Sequence, residues 1–342
     1  MEKESVDRTS LYFTGEREVS LREETISEPE GKEVLIETLY SGVSRGTELL
    51  LYRNEVENGI CLDKSWNYEK NSYKHGFKYG YSCVGKIIST GDKVPEEMKG
   101  KEVFAFNPHE SHFLADIDEL VLVDGKMDAE NSLFLPTLET AVNFALESSP
   151  VIGERCAIFG QGQVGLLTTY VLNHFPLDKI VTSDRYEKKK DLSKKMGADI
   201  VFDSHTPIED ILTQCGLKED GFDLSVELSG NLDVLQKAVD ALGFGGRVII
   251  GSWYGNKSGK LKLGTDFHRD QIRMKSSQVS SIPKERCERW DKERRIETTL
   301  DFLHKEDFTG LITHEYDIDQ ASKAFEKLEN EPEEVIQLIF KY

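Results

Sequence analysis

The most restrictive feature of the sequence is a short apolar run that passes through three glycines, RCAIFGQGQVG at residues 155–165. Gly160, Gly162 and Gly165 follow a predicted buried strand and open the amphipathic stretch VGLLTTYVLNHF. Further along, apolar segments such as KIVTSD and GRVIIGSW alternate with helical ones. Strands that each lead into a helix predict a parallel sheet covered on both faces.

The spacing of these glycines is that of a turn that can hold a dinucleotide. Such a turn lets the backbone approach a pyrophosphate and points the helix amides at it. The strand KIVTSD ends at Asp184, where a carboxylate can accept both ribose hydroxyls and repel a 2′-phosphate. The sequence therefore predicts NAD in preference to NADP, although Arg185 is a residue type that favours NADP. An ordinary turn in a sheet that binds nothing is the alternative.

Two later strands end in small residues, which leave room for a nicotinamide ring at the same edge of the sheet. They are followed by Ser229 and Gly230 in one case and by Gly251 and Ser252 in the other. The cofactor contacts predicted in this part of the chain are Gly160, Gly162, Gln163, Val164, Gly165, Asp184, Arg185, Ser229, Gly230, Gly251 and Ser252.

The segments on either side of this region predict the domain organisation. Residues 1–135 consist mainly of short strands such as EVLIETLYSGV and SCVGKIIST. We therefore expect a β-rich domain over 1–135, a doubly wound parallel-sheet domain over 136–275 and a C-terminal segment over 276–342. In that segment a long polar helix is expected over 284–304, with a solvated charged face and Trp290 against the core.

Composition excludes several classes of function. The formal net charge of −19 argues against a nucleic-acid partner. The absence of an apolar run of membrane-spanning length argues against a membrane span, and a charged N-terminal stretch without an apolar core predicts a cytoplasmic protein. Free thiols of a reducing compartment are expected, since the five cysteines lie far apart: Cys61, Cys83, Cys156, Cys215 and Cys287.

The order of these segments resembles the medium-chain dehydrogenase/reductase superfamily, which includes the zinc alcohol dehydrogenases, over nearly the whole chain. YSGVSRGTELL is similar to its first catalytic loop, YGYSCVGKIISTG to its second, and ERCAIFGQGQVGLL to its cofactor turn. The resemblance implies a GroES-like catalytic domain, a Rossmann domain and a return of 276–342 to the former. It implies hydride transfer between NAD(P) and an alcohol or carbonyl substrate, and a contact of Thr140 with nicotinamide.

The chain departs from the zinc enzymes at all three positions of the metal ligands. The first loop has Ser44 and no cysteine, Tyr81 stands in place of the ligand histidine, and the third position falls on Pro136. Zinc requires converging thiolate, imidazole or carboxylate ligands. The sequence therefore predicts an enzyme that works without zinc. The alternative is a replacement site built from Glu48, His75, Cys83 and His109.

Without a metal, hydrogen-bond donors and a general acid must stabilise the charge on the substrate oxygen. Thr47 matches the relay hydroxyl of the zinc enzymes, and Tyr81 is predicted to be the proton donor. His109, together with His112, is a candidate for a base near neutral pH. The alternatives are a loop hydroxyl bonded to the backbone, a packed tyrosine and solvated histidines; Ser44 and Arg45 are candidates to orient the substrate.

The substrate is expected to be a small-molecule alcohol, aldehyde or ketone, with a homodimer paired through RVIIGSW. Trp66 and the tyrosines between residues 52 and 79 suggest a large or aromatic ligand. SRGTE, the pair at 108–109 and LETAVNFAL resemble a narrower branch that includes the dehydrogenase for the hydroxyethyl side chain of bacteriochlorophyllide. A zinc-free quinone or enoyl reductase and a non-catalytic NAD-binding protein are the alternative functions.

Overall fold

The computed structural model describes residues 5–57, 59–60, 62, 73–123, 125 and 127–342. The chain divides into two units, Met1–Pro136 with Leu300–Tyr342 and Thr137–Thr299. The first contains an antiparallel hairpin and a mainly antiparallel sheet, and the second contains a parallel sheet, so the predicted α/β class with a β-rich and a doubly wound domain is confirmed. The segment expected as one piece over 276–342 is divided, because residues up to Thr299 belong to the second unit.

The described residues before 149 form ten strands and α-helices. They are β1 (Ser5–Gly15), β2 (Glu18–Ser27), β3 (Glu33–Val43), α1 (Arg45–Tyr52), β4 (Cys83–Thr90), β5 (Glu102–Ala105), β6 (His112–Asp116), β7 (Val121–Leu122), α2 (Ala129–Ser132) and α3 (Leu135–Ser148).

The elements of the parallel-sheet region and of the tail follow in the same order. They are β8 (Arg155–Phe159), α4 (Gln163–Leu172), β9 (Lys179–Asp184), α5 (Glu187–Lys195), β10 (Ile200–Asp203), α6 (Ile208–Cys215), β11 (Phe222–Glu227), α7 (Leu232–Asp240), β12 (Leu242–Ile250), α8 (Asp266–Arg269), β13 (Arg273–Ser276), α9 (Lys292–Leu303), β14 (Ile312–Asp317), α10 (Ala321–Asn330) and β15 (Gln337–Lys341).

The first unit is built on a seven-stranded sheet. Its order is β14-β15-β3-β4-β5-β7, with β6 also paired to β3, while β1 and β2 form a separate hairpin. Aromatic side chains pack in one of its cores: Phe13 of β1 stacks on Phe77 at 5.5 Å and meets Phe325 of α10 edge-on. The tail is therefore part of this unit because α10 and β15 supply core residues to it.

The second unit is a six-stranded parallel sheet in the order β10-β9-β8-β11-β12-β13. The strand order reverses between β8 and β11, and this switch point is where α/β sheets bind ligands. The strand expected at a dimer interface, RVIIGSW, lies within β12 and just after it. β12 is paired on both sides, and β13 is the strand at this edge of the sheet. A second copy that adds to this edge would therefore pair with β13 and not with RVIIGSW.

The polar helix expected over 284–304 is shorter, because it begins only at Lys292. Asp291 accepts the backbone N–H of Arg294 at 2.8 Å, which is the contact of an N-cap residue. The charged face of this helix was expected to be solvated, but Arg295 is only 1% exposed and forms a buried ion pair with Glu139. Trp290 is half-buried under the guanidinium of Arg294, so the buried contact of this segment is made by Arg295.

None of the helices in the described part of the chain is long and apolar enough to cross a membrane.

A charged cluster joins the β1–β2 hairpin to the rest of the first unit. Glu24 of β2 accepts hydrogen bonds from Tyr12, Ser10 and Lys78, and Lys78 also donates to the buried Glu110. Burial acts to raise the pKa of Glu24, but the bonds from Tyr12, Ser10 and Lys78 outweigh it and lower the pKa to about 2. The ionised carboxylate is therefore part of the folded packing.

We expect Glu24→Gln to lower the free energy of unfolding by about 2 kcal/mol at pH 7. The folded pKa lies below the unfolded value of 4.5, so this contribution is present above pH 4.5 and fades as the pH falls toward 2. Urea unfolding at pH 7 and at acidic pH measures it. Glu23→Gln is the control, because Glu23 is exposed and bonds to Thr9. A difference from wild type that stays constant with pH would contradict this account.

Candidate cofactor and catalytic sites

The glycine-rich turn joins β8 to α4 at the switch point of the parallel sheet. Gly160 has a φ of +97°, and a Cβ on Gly165 would lie 2.0 Å from the carbonyl oxygen of Gly160, so neither position accepts a side chain without strain. Gly162 differs, because a Cβ there would have no neighbour within 4 Å. The backbone amides at the N-terminus of α4 are therefore open on the side of Gly162, which fits the approach of a pyrophosphate.

Asp184 ends β9 next to this turn. Its Oδ2 accepts the backbone N–H of Gln161 at 2.7 Å, and its Oδ1 accepts that of Tyr186 at 3.0 Å. A carboxylate oxygen has two acceptor sites, so each can still accept a ribose hydroxyl. Arg185 is exposed, and its guanidinium stacks on the ring of Tyr186 at 4.6 Å from the centroid.

The ends of β11 and β12 meet at the same edge of the sheet. The backbone N–H of Gly230 donates to the hydroxyl of Ser252 at 2.9 Å, which ties the two predicted pairs together. A Cβ on Gly251 would lie 2.4 Å from the ring of Phe144, so glycine is required there by packing. Ser229, by contrast, donates both its N–H and its hydroxyl to a carboxylate.

That carboxylate belongs to Glu227, which the sequence reasoning missed. Glu227 is fully buried at the end of β11 and accepts hydrogen bonds from Ser229 and from the hydroxyl of Tyr254. Burial and the neighbouring Glu227 raise the pKa of Tyr254, so its proton stays in place. The signal was a carboxylate at the C-terminal end of the strand FDLSVE, and such a residue must find donors when buried.

The remaining predicted cofactor contacts are half-buried. Gln163 and Val164 form the first turn of α4, and Thr140 lies on α3.

In the first unit, Tyr81 lies just before β4 and is half-buried. Its hydroxyl donates to the hydroxyl of Ser44, and its ring packs edge-on against Tyr79 with 5.9 Å between centroids. Ser44 is the N-cap residue of α1, yet its side chain makes no capping hydrogen bond. The predicted proton donor is thus paired with a second hydroxyl.

Glu48 of α1 and His109 form a fully buried pair. His109 Nε2 lies 3.0 Å from Glu48 Oε2, and both side chains have no solvent-exposed surface. The other carboxylate oxygen accepts the backbone N–H of Ser44 at 2.7 Å. The two oxygens of Glu48 are therefore divided between the histidine and the start of its own helix.

The second ring nitrogen of His109 continues the chain of polar contacts. Nδ1 lies 2.7 Å from the hydroxyl of Ser41, which lies 2.9 Å from the hydroxyl of Tyr342. Burial raises the pKa of Tyr342 well above its ordinary value, so its hydroxyl keeps its proton. Gly80 allows the ring to sit here, because a Cβ on it would lie 2.9 Å from His109 Cδ2. His109 is thus enclosed by protein partners at both nitrogens.

The other sequence candidates in this unit are more open. Thr47 is half-buried on α1, and its hydroxyl has no hydrogen-bond partner among the residues that the structure describes. Arg45 donates to the carbonyl of Leu328 at 3.3 Å. His112 bonds to Ser111 at 3.1 Å, and burial lowers its pKa.

The three positions predicted to correspond to zinc ligands are Ser44, Tyr81 and Pro136. Ser44 and Tyr81 bond to each other, and Pro136 has no ligand atom in its side chain. Across the described ranges, no group of three or more His, Cys, Asp or Glu residues is arranged to hold a metal ion.

The residues of the replacement zinc site are engaged elsewhere. Glu48 and His109 bond to each other, and the Sγ of Cys83 lies 3.6 Å from the hydroxyl of Thr38 inside β4. Burial raises the pKa of Cys83 to about 12. His75 is exposed on a turn. Trp66, the residue that suggested an aromatic ligand, lies outside the described residues.

Comparison with known proteins finds similarity to zinc-binding dehydrogenases. The family model of the zinc-binding dehydrogenases matches residues 164–293. L-threonine 3-dehydrogenase from Xanthomonas euvesicatoria is 24% identical over 341 aligned residues, which cover 90% of this chain and 92% of that enzyme.

Solved structures share the fold over the full length. L-idonate 5-dehydrogenase from Escherichia coli superposes with a TM-score of 0.79 at 16% identity and covers all of both chains. Among the structures of similar fold, one contains NADH and another NADP. The family model and the threonine dehydrogenase therefore show a similarity to dehydrogenases, and the solved structures show a shared fold.

The second and third glycines of the turn, Gly162 and Gly165, give a matched pair of variants. We expect Gly165→Ala to lower the melting temperature, because its Cβ would overlap the backbone of Gly160. Gly162→Ala should leave the melting temperature within about 2 °C of wild type but weaken NADH binding by about tenfold or more, since its methyl group occupies the pyrophosphate approach. Differential scanning fluorimetry and NADH fluorescence titration measure both. Equal NADH affinity in Gly162→Ala and wild type would remove this turn from the cofactor site.

Proposed function

We propose that this chain is a nicotinamide-dependent oxidoreductase of the zinc-binding dehydrogenase superfamily that acts on an alcohol or carbonyl group without catalytic zinc. The observation that carries the proposal is the open side of Gly162 at the N-terminus of α4, flanked by the carboxylate of Asp184. Two of the three glycines are required by packing, whereas Gly162 leaves space that nothing in the described protein fills.

The residues of the second unit fit NAD better than NADP. Asp184 is held in place by two backbone N–H groups, so its charge is fixed beside the turn. A fixed carboxylate accepts ribose hydroxyls and repels a 2′-phosphate. Arg185 stacks on Tyr186 at the surface, where it could serve a phosphate only by leaving that ring.

The first unit supplies the proton chemistry. In the direction of carbonyl reduction, Tyr81 gives its phenolic proton to the substrate oxygen while the nicotinamide, when bound, supplies the hydride to carbon. The hydroxyl of Thr47 donates a hydrogen bond to the same oxygen, which spreads the charge that develops on it. Alcohol oxidation is the reverse of these steps.

The remaining expectations are proposals of the same kind. The narrower likeness to the bacteriochlorophyllide dehydrogenase branch is supported by SRGTE, Pro108-His109 and LETAVNFAL.

A homodimer is supported by the position of β13 at one end of the sheet, where a second copy could add a strand. A cytoplasmic location is supported by the spread of the cysteines, of which Cys83, Cys156 and Cys215 are buried and free.

We expect the purified protein to oxidise a secondary alcohol with NAD⁺ and to contain less than about one tenth of a zinc ion per chain. Absorbance of NADH reports on L-threonine, L-idonate and α-methylbenzyl alcohol, and native mass spectrometry reports on the metal. The double variant Thr47→Val, Tyr81→Phe should lose about a hundredfold or more in kcat while still binding NADH.

Other outcomes separate the alternatives. Reduction of benzoquinone by NADPH with no alcohol oxidation would favour the quinone reductase reading. NADH binding without turnover of any of these substrates would favour a non-catalytic binding protein. One zinc ion per chain, or undiminished kcat in the double variant, would overturn the metal-free mechanism.

The choice of cofactor rests on Asp184 and is tested separately. We expect Asp184→Ser to shift the ratio of kcat/KM for NAD⁺ over NADP⁺ by about tenfold or more toward NADP⁺, because the repulsion of the 2′-phosphate is removed. Steady-state kinetics with both cofactors measure the ratio. Asp203→Ser is the control, since Asp203 ends the next strand and pairs with Lys190. An unchanged ratio in Asp184→Ser would contradict the ribose assignment.

A further inference from the structure

Helix α1 is capped from within rather than by its N-cap side chain. A serine at the N-cap ordinarily uses its hydroxyl to accept a backbone N–H of the first turn. The Ser44 hydroxyl makes no such bond; instead Glu48, one turn further on, accepts the backbone N–H of Ser44 at 2.7 Å. The hydroxyl of Ser44 is thereby available to Tyr81, whose phenol donates to it.

A carboxylate that performs this task in the interior needs a compensating partner. Glu48 is fully buried, and an uncompensated buried charge is strongly destabilising. His109 lies 3.0 Å from the free carboxylate oxygen, and Ser41 holds the opposite ring nitrogen at 2.7 Å. Since the Ser41 hydroxyl can donate or accept, the ring is satisfied either as a neutral tautomer or as an imidazolium.

We propose that Glu48 and His109 are positioning residues for the Tyr81 phenol and that they act through Ser44. The inference rests on the proposed function, in which Tyr81 gives its proton to the substrate oxygen. As that proton leaves, the O–H bond of Tyr81 breaks and an O–H bond to the substrate oxygen forms. Ser44 keeps its own proton throughout and turns it toward the phenolate oxygen, which stabilises the charge left on the ring.

This arrangement assigns His109 a role different from that of a base in contact with substrate. Both of its nitrogens have protein partners, and Gly80 packs closely against its ring. A positioning role needs such an enclosed side chain, whereas a base must reach the proton that it removes.

A double-mutant cycle on Ser44 and Glu48 tests the proposal with the alcohol that the wild type oxidises best and NAD⁺. Ser44→Ala and Glu48→Ala should each lower kcat by about tenfold, with KM within about twofold of wild type. The double variant should be no slower than the slower single variant, because each substitution disables the same step, the positioning of Tyr81 by the Ser44 hydroxyl. Multiplicative effects of about a hundredfold would show that Glu48 does not act through Ser44 and would overturn the proposal.

Two further variants separate positioning from general structural damage. Glu48→Gln keeps an acceptor for the Ser44 N–H, so its kcat should stay within about threefold of wild type. Glu154→Ala removes the two-oxygen ion pair of Glu154 with Arg247 in the other unit and should leave kcat unchanged. Combined with Ser44→Ala, it should give the kcat of Ser44→Ala alone. Circular dichroism confirms folding of each variant.

The remaining outcomes are also decisive. If Glu48→Ala does not fold, Glu48→Gln decides alone: retained kcat supports the capping role, and a tenfold loss overturns it. If wild type turns over and Tyr81→Phe is as active as wild type, the proposed proton donor fails first. If Tyr81→Phe is inactive while Ser44→Ala keeps full kcat, the proposed function stands and the positioning inference falls.

Discussion

The close approach of α4 to β8 is the constraint on which the second unit depends. A methyl group on Gly165 would lie 2.0 Å from the Gly160 carbonyl oxygen, so the helix can start this near the sheet only with hydrogen at that position. The approach brings the N-terminal amides of α4 to the switch point of the strand order. Asp184 then locks the turn by accepting the Gln161 N–H. The packing of α4 on β8 and the open side of Gly162 therefore depend on the same few atoms.

The first unit contains fully buried polar side chains, among them Glu48 and His109. Glu48 and His109 have no solvent-exposed surface, and His109 packs edge-on against Phe340, so these two polar side chains satisfy each other. The Glu48–His109 pair links the start of α1 to the strand residue Ser41 and to Tyr342. A buried pair of this kind adds little stability over apolar packing, and its value lies in fixing geometry. That geometry holds the two hydroxyls of Ser44 and Tyr81 together.

Much of the architecture followed from local pattern. The strand predicted over residues 33–43 and the strand KIVTSD have the bounds of β3 and β9, because alternation and unbroken apolar runs report burial directly. The short strands β6 and β13 and the helix α1 were missed, since a few residues carry little periodicity. The start of α9 was predicted too early, because the charged residues on both sides of Asp291 have the same helical pattern. Only the hydrogen bond from the Arg294 N–H to Asp291 marks where the helix begins.

The sequence by itself determined the fold class and the glycine turn, because these depend on residue type and spacing along the chain. Only the tertiary structure decided the partners of His109, Glu48, Arg295 and Glu227. Each meets a residue far away in sequence or across a turn, and the pairing follows from which side chains lose water together on folding. Burial of a charged group is a property of the packed molecule, which no local pattern specifies.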